Sequence, residues 1–148
     1  NAERMRIDSS GNVGIGVVPK VYVSSAHAID MGNYGGILEQ DEMSITSNVY
    51  LNTGSSLRYK VTDEAAMFKL TASGKHIFST APSGSADAEI TFTTAMTILN
   101  NGALCINRTD QANSERLAIT GNTSSQCMSL TSPITGAYDM VNLINGNT

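Results

Sequence analysis

Acid–base chemistry in this chain would have to come from three groups of carboxylates: Glu39, Asp41 and Glu42; Asp63 and Glu64; Asp87 and Glu89. Two carboxyl groups facing each other across a groove, one protonated and one ionised, can cleave a glycosidic bond. Such a groove is normally lined with aromatic rings that hold the sugar, and this chain has three Phe, five Tyr and no Trp. The acids therefore read as solvated loop residues, with a polysaccharide-degrading enzyme as the alternative. Calcium at the first group lacks the regular ligand spacing of a calcium loop. His27 and His76 are the only histidines, and neither has the close-spaced Cys, His or acid partners of a zinc site. Gly11-x-x-Gly14-x-Gly16 reverses the spacing of the dinucleotide fingerprint, and Pro19 stands where a phosphate-binding helix would have to begin. We assign no catalytic residue, no metal site within one chain and no cofactor.

Whatever the chain does must then rest on its scaffold, and the scaffold is written as a repeat. Met5, Ile7, Gly11, Val13 and Ile15 set a pattern. The same offsets return as Phe68, Leu70, Gly74, His76 and Phe78, and again as Met96, Ile98, Gly102, Leu104 and Ile106. A looser copy is Val49, Leu51, Leu57 and Tyr59, with its glycine one place early at Gly54. Two alternating apolar residues, a polar stretch holding a glycine and two more alternating apolar residues predict a β-hairpin with one apolar face. The copies recur at irregular intervals, which argues against a solenoid or propeller of fixed period.

Ser, Thr, Asn and Gly make up 58 of the 148 residues, charged residues are 15% and the net charge is −4. Hydrophobic residues at 41% with so low a net charge predict folded structure rather than disorder. The apolar residues come in scattered pairs, so a single chain would have a thin core, and oligomerisation is the usual remedy. Nine Lys and Arg in all argue against a nucleic-acid partner, which needs clustered positive charge. No apolar run approaches the roughly 20 residues that span a bilayer. The chain opens inside a strand-like pattern and has no basic-then-apolar leader; we read both ends as cuts in a longer polypeptide.

Short segments between dense turn signals give an all-β reading. The expected strands are Arg4–Asp8, Val13–Gly16, Lys20–Ser24, Asn48–Leu51, Leu57–Val61, Ala66–Thr71, Lys75–Ser79, Glu89–Thr93, Ala95–Leu99, Ala103–Asn107 and Arg116–Thr120. The 62–67 stretch is open to a helical turn, but the alternation that follows favours strand. Gly32–Gly36 and Pro82–Ser85 are the candidate joints, dividing the chain into modules 1–36, 37–112 and 113–148. Cys105 alternates with Leu104 and Ile106 and so points to the opposite face; with Cys127 it could form a disulfide, though two small packing thiols are the simpler reading.

The run Glu3-Arg-Met-Arg-Ile-Asp-Ser-Ser-Gly-Asn-Val-Gly-Ile-Gly16 closely resembles a segment common in tail fibres and related receptor-binding proteins of tailed bacteriophages. Ala81-Pro-Ser-Gly-Ser-Ala-Asp-Ala-Glu-Ile-Thr-Phe92, running on into Ala95–Gly102, is similar to the segment that often accompanies it. With Lys69–Phe78, the resemblance covers over half the chain. Relatives usually continue with Thr-Thr-Ser-Pro after the Gly-Ile-Gly, where this chain has Val17-Val18-Pro19; the later copy has Cys105-Ile106-Asn107 in place of Gly-Ile-Gly. The resemblance implies a β-rich homotrimeric fibre reaching a host surface, often followed by a C-terminal chaperone domain whose catalytic site is not identifiable here. It transfers architecture and no binding residue.

The combined expectation is an all-β fold of short hairpins in an elongated, homotrimeric, intertwined fibre or β-prism. Its inter-chain core would be Met5, Ile7, Val13, Ile15, Phe68, Leu70, Phe78, Met96, Ile98, Leu104 and Ile106. His76 occupies the slot filled by Val13 and Leu104 in the other hairpins; in a trimer three copies could meet at the axis and hold an ion or anion, with a packed or hydrogen-bonded ring as the simpler reading. The expected role is a structural virion component of the phage tail. Its partners would be its own copies, other tail or virion proteins and a host surface glycan or protein reached through loops such as 32–36 or 122–128. A bacterial or prophage adhesin, or another virion fibre, is the remaining alternative.

Overall fold

The computed structural model describes residues 3–111 and 114–121. The strands are β1 (Met5–Ile7), β2 (Val13–Ile15), β3 (His27–Met31), β4 (Gly35–Gln40), β5 (Glu42–Ser47), β6 (Val49–Leu51), β7 (Leu57–Tyr59), β8 (Asp63–Leu70), β9 (His76–Gly84), β10 (Thr93–Ile98), β11 (Leu104–Ile106) and β12 (Leu117–Ile119). There is no helix among the described residues. Ten strands form one sheet in the order β1-β2-β3-β4-β5-β8-β9-β10-β11-β12, and β6 and β7 pair separately. The sheet is mixed, because β2–β3 and β11–β12 are parallel while the other neighbours are antiparallel.

All four copies of the repeat fold as the hairpins their spacing predicts. Met5 faces Ile15, Phe68 faces Phe78, Met96 faces Ile106 and, in the looser copy, Val49 faces Tyr59. The loops close identically: the amides of Gly11, Gly74, Gly102 and Ser55 donate to the carbonyls of Asp8, Thr71, Leu99 and Asn52 at 2.9 to 3.1 Å. This is the three-residue hairpin loop that ends in a left-handed residue. Gly11, Gly74 and Gly102 hold φ of 86°, 77° and 81° there. In the looser copy the glycine is displaced to 54, so Ser55 takes the left-handed place at φ 60°, where its Cβ is strained.

Lys20–Ser24 is not a strand. Its backbone is held by a side chain instead, with the Lys20 amide donating to Asp30 Oδ2 at 2.9 Å and the Tyr22 hydroxyl to Asp30 Oδ1 at 2.7 Å. Glu89–Thr93 is also irregular up to Thr93, where β10 begins. It crosses onto the small sheet, with one bridge from Glu89 to Arg58 and an Ile90 amide bond to Leu57 at 2.9 Å. Conversely β3, β4 and β5 are strands outside the expected set. Of the two candidate joints, Gly32 lies in the β3–β4 turn and Pro82 within β9. The ten-stranded sheet draws strands from all three of the 1–36, 37–112 and 113–148 spans.

One face of the large sheet, the inner face, is covered by the chain itself. Tyr22, Ala26, Ala28, Leu38, Tyr50 and Leu51 form one buried cluster; Val49, Tyr59, Ala65, Ala81 and Ile90 a second; Leu99, Ala103, Cys105 and Ala118 a third. Asn48 makes the corner at which the chain leaves β5 for the small sheet. It adopts φ 61° and is fully buried. Its amide donates to the carbonyls of Val61, Asp63 and Glu64, and its oxygen accepts from the Val61 amide. Beside it, the Lys60 Nζ lies 2.5 Å from Asp30 Oδ1 and donates to the Gly35 carbonyl at 2.8 Å. Both side chains of this pair are under 5% exposed. Asp30 sits between Gly14 and Gly36 in neighbouring strands. A Cβ at Gly36 would stand 3.1 Å from the Lys60 Nζ and 2.6 Å from Thr46 Oγ1, and one at Gly14 would meet the Val17 carbonyl. These glycines leave the inner face open where the ion pair needs space.

The shared loop geometry gives a stability test. Ser55→Gly should stabilise the chain by about 0.5–1 kcal/mol, and Gly74→Ser should destabilise it by about 1–2 kcal/mol, in urea unfolding followed by circular dichroism.

Candidate functional site

The opposite, outer face of the large sheet carries the distinctive arrangement. The strand registers place Ile7, Val13, Ile29, Ile37, Ile45, Phe68, Phe78, Met96, Ile106 and Ile119 side by side, one from each of the ten strands. No polar residue interrupts this row. Above it run Met43, Leu70, His76, Ile98, Leu104 and Leu117. Below it Met5, Ile15 and Met31 extend the apolar surface across the first three strands. In the single chain none of these side chains is buried; Ile7 is 66% exposed, Ile45 50% and Leu117 53%.

All eleven residues expected at an inter-chain core lie on this face. None belongs to the buried clusters of the chain's own core. Strand alternation explains the division: the partner slots point inward, and apart from Leu38, Met67 and Ile77 most hold a smaller or more polar residue, as with Gly14, Ala28, Ser44, Thr46, Ser79, Thr97, Cys105 and Ala118, all buried. Cys105 is thus a buried free thiol on the inner face, as its alternation predicts; Cys127 lies outside the described residues.

Strand spacing sets the size of the patch. Nine intervals of about 4.8 Å make the row about 43 Å long, and two to three residues along each short strand make it about 14 Å high. A strip on the order of 600 Å² is at the upper limit of apolar patches on monomers and approaches the ~800 Å² that each partner contributes to a standard protein interface. A shallow groove lies on it between Ile45, Ala66, Phe68 and Phe78, where the two phenylalanine rings stack at 4.6 Å.

His76 is exposed between Leu70 and Ile98, with its ring 5.9 Å from that of Phe68. Among the described residues no three His, Cys, Asp or Glu side chains gather as a metal site would require. His27 and Glu39 face each other at the other end of the upper row, 3.2 Å apart. The remaining acids are dispersed. Glu42 pairs with Lys69 at 3.1 Å beside a cleft of about 200 Å³ under the small sheet. Asp63 accepts from the Tyr34 hydroxyl at 2.8 Å. Asp41 lies in the β4–β5 turn at φ 61°. Of the loops expected to reach a host surface, 32–36 exposes Tyr34, and 122–128 lies outside the described residues.

Asp87 has a structural setting of its own. It accepts from the Tyr50 hydroxyl at 2.8 Å and from Lys20 Nζ at 3.1 Å, and Lys20 stands 4.8 Å over the Tyr50 ring. The Tyr50 hydroxyl, then Lys20, hold the Asp87 carboxyl below the usual range. Burial, then Asp87, push the Tyr50 hydroxyl up to about 12. This cluster ties the 17–26 loop to the small sheet.

Comparison with protein-family models, with curated proteins and with solved structures finds no match to this chain.

The Asp87 cluster predicts how stability varies with pH. A depressed carboxyl stabilises the fold above its unfolded value near pH 4, and this is lost as pH falls through the folded value. A raised phenol stabilises below about pH 10, and this is lost as pH rises toward its folded value. Stability contributed by the cluster should therefore be flat between about pH 4 and pH 10. Tyr50→Phe should raise the Asp87 titration midpoint toward the ordinary carboxylate value, followed by NMR of the side-chain carboxyl carbon. An unmoved midpoint would show that the hydroxyl does not control it.

Proposed function

We propose that this chain is a segment of a receptor-binding fibre of the tailed-bacteriophage type. It is a non-enzymatic structural virion component whose copies join through their outer sheet faces into a homotrimer. The observation that carries this reading is the unbroken row of ten apolar residues, exposed or half-buried in the single chain. A sheet in water normally alternates apolar inside with polar outside; this one is apolar on the outside and has small or polar residues in many of its inner slots. Such a face costs free energy unless something covers it. Copies of the same chain are a partner of matching chemistry, and a row running across all ten strands suits a long contact.

The resemblance of Glu3–Gly16 and of Ala81–Gly102 to phage fibre segments supports the same reading and adds the number three. In it the inner core and the Asp30–Lys60 pair keep each chain folded, while the outer row supplies cohesion between chains. Other tail or virion proteins would flank the segment in the virion. Contact with a host glycan or protein would fall to exposed turns such as 32–34, which presents Tyr34. The polysaccharide-degrading alternative needs two carboxylates across one groove, whereas Glu39, Glu42, Asp63 and Asp87 each serve a separate local contact.

Ile45→Asp and Ile98→Asp should each leave a folded chain of β-type circular dichroism that no longer assembles, eluting with monomer mass where the parent elutes as a trimer. Normal assembly of either variant would overturn the outer face as the interface.

A further inference from the structure

The outer face carries an imidazole in the middle of its apolar surface. His76 stands in the upper row between Leu70 of β8 and Ile98 of β10, with Met43, Leu104 and Leu117 beyond them. No charged group faces it from either neighbouring strand. Lys69 of β8 projects to the inner side, where it pairs with Glu42, and β10 has no titratable residue. Along the central and upper rows the only other titratable groups are His27 and Glu39, which face each other near the far end. The central and upper rows of a copy laid on this face bring no carboxylate beyond Glu39; Glu64 lies three slots along β8 from Leu70.

We propose that His76 makes assembly through the outer face pH-dependent, with copies associating when the imidazole is neutral and separating when it is protonated. The inference rests on the assembly reading above, but not on any particular arrangement of the copies. Any partner that covers the apolar rows removes His76 from water. Burial disfavours the charged imidazolium. The sign follows by linkage: the assembled state binds fewer protons than the free chains, so association is full above the ordinary histidine range near pH 6.5 and weakens as pH falls through it. Each histidine can weaken association by up to about tenfold per pH unit below that range, so three together reach about a thousandfold per unit.

The test is sedimentation equilibrium of the whole chain at pH 8 and pH 5, for the parent, His76→Phe and His76→Gln. The expected result is a trimeric parent at pH 8 that dissociates at pH 5, with at least one variant trimeric at both. A parent trimeric at both pH values, or variants that dissociate in parallel with it, would overturn the switch and leave the interface standing. Failure of both variants to assemble at pH 8 would overturn it too, by making the ring a packing group. A parent monomeric at both pH values would instead remove the assembly reading, and this inference with it.

Discussion

A β-sheet has two faces, and the described residues place their covering material on only one face of this ten-stranded sheet. Everything else in the structure follows from how that material is divided. The small β6–β7 sheet and the 17–26 and 85–92 segments lie on the inner side. The outer side keeps the larger side chains, Ile, Met, Phe and Leu, exposed or half-exposed. Apolar surface in that position is a strong thermodynamic demand for a partner.

The inner side meets the opposite problem. Many of its strand slots are small or polar, so apolar burial alone is modest, and the covering segments are fastened by specific polar contacts. Asn48 binds the two ends of the excursion through β6 and β7 with four hydrogen bonds. Asp30 collects the Tyr22 hydroxyl, the Lys20 amide and the Lys60 ammonium. With its partners satisfied, such a pair holds distant segments in one arrangement. Loss of one member would strand a buried charge, at a cost of about 3–5 kcal/mol. The cover thus depends on geometry more than on volume, which explains the glycines at 14 and 36 beside the pair.

This division also explains what could be read from the sequence. The hairpins were readable because their apolar pairs alternate cleanly and their loops carry a left-handed residue at a fixed offset. That offset is respected even where the glycine is missing, at Ser55. Strands β3 to β5 were not readable. In β3 the inward slot holds Asp30, in β4 the opening residues are Gly35 and Gly36, and in β5 Ser44 and Thr46 point inward while Met43 and Ile45 point out. Lys20–Ser24 was misread because Val21 and Val23 alternate as in a strand, though Tyr22 is the buried residue and Val21 is exposed. The eleven residues expected at an inter-chain core share one face because the apolar period marks the outer side of the sheet. Ile29, Ile37, Ile45 and Ile119 were missed because their neighbours break the hairpin pattern. Only the registers show that they complete the row.

The most direct measurement is the mass of the parent chain in solution at pH 8 by light scattering coupled to size exclusion. If the outer rows are a contact between copies, the mass will be three times 15.6 kDa and the outer-face amides will be protected from exchange. A monomer of 15.6 kDa that stays soluble with its outer face open would contradict the central claim.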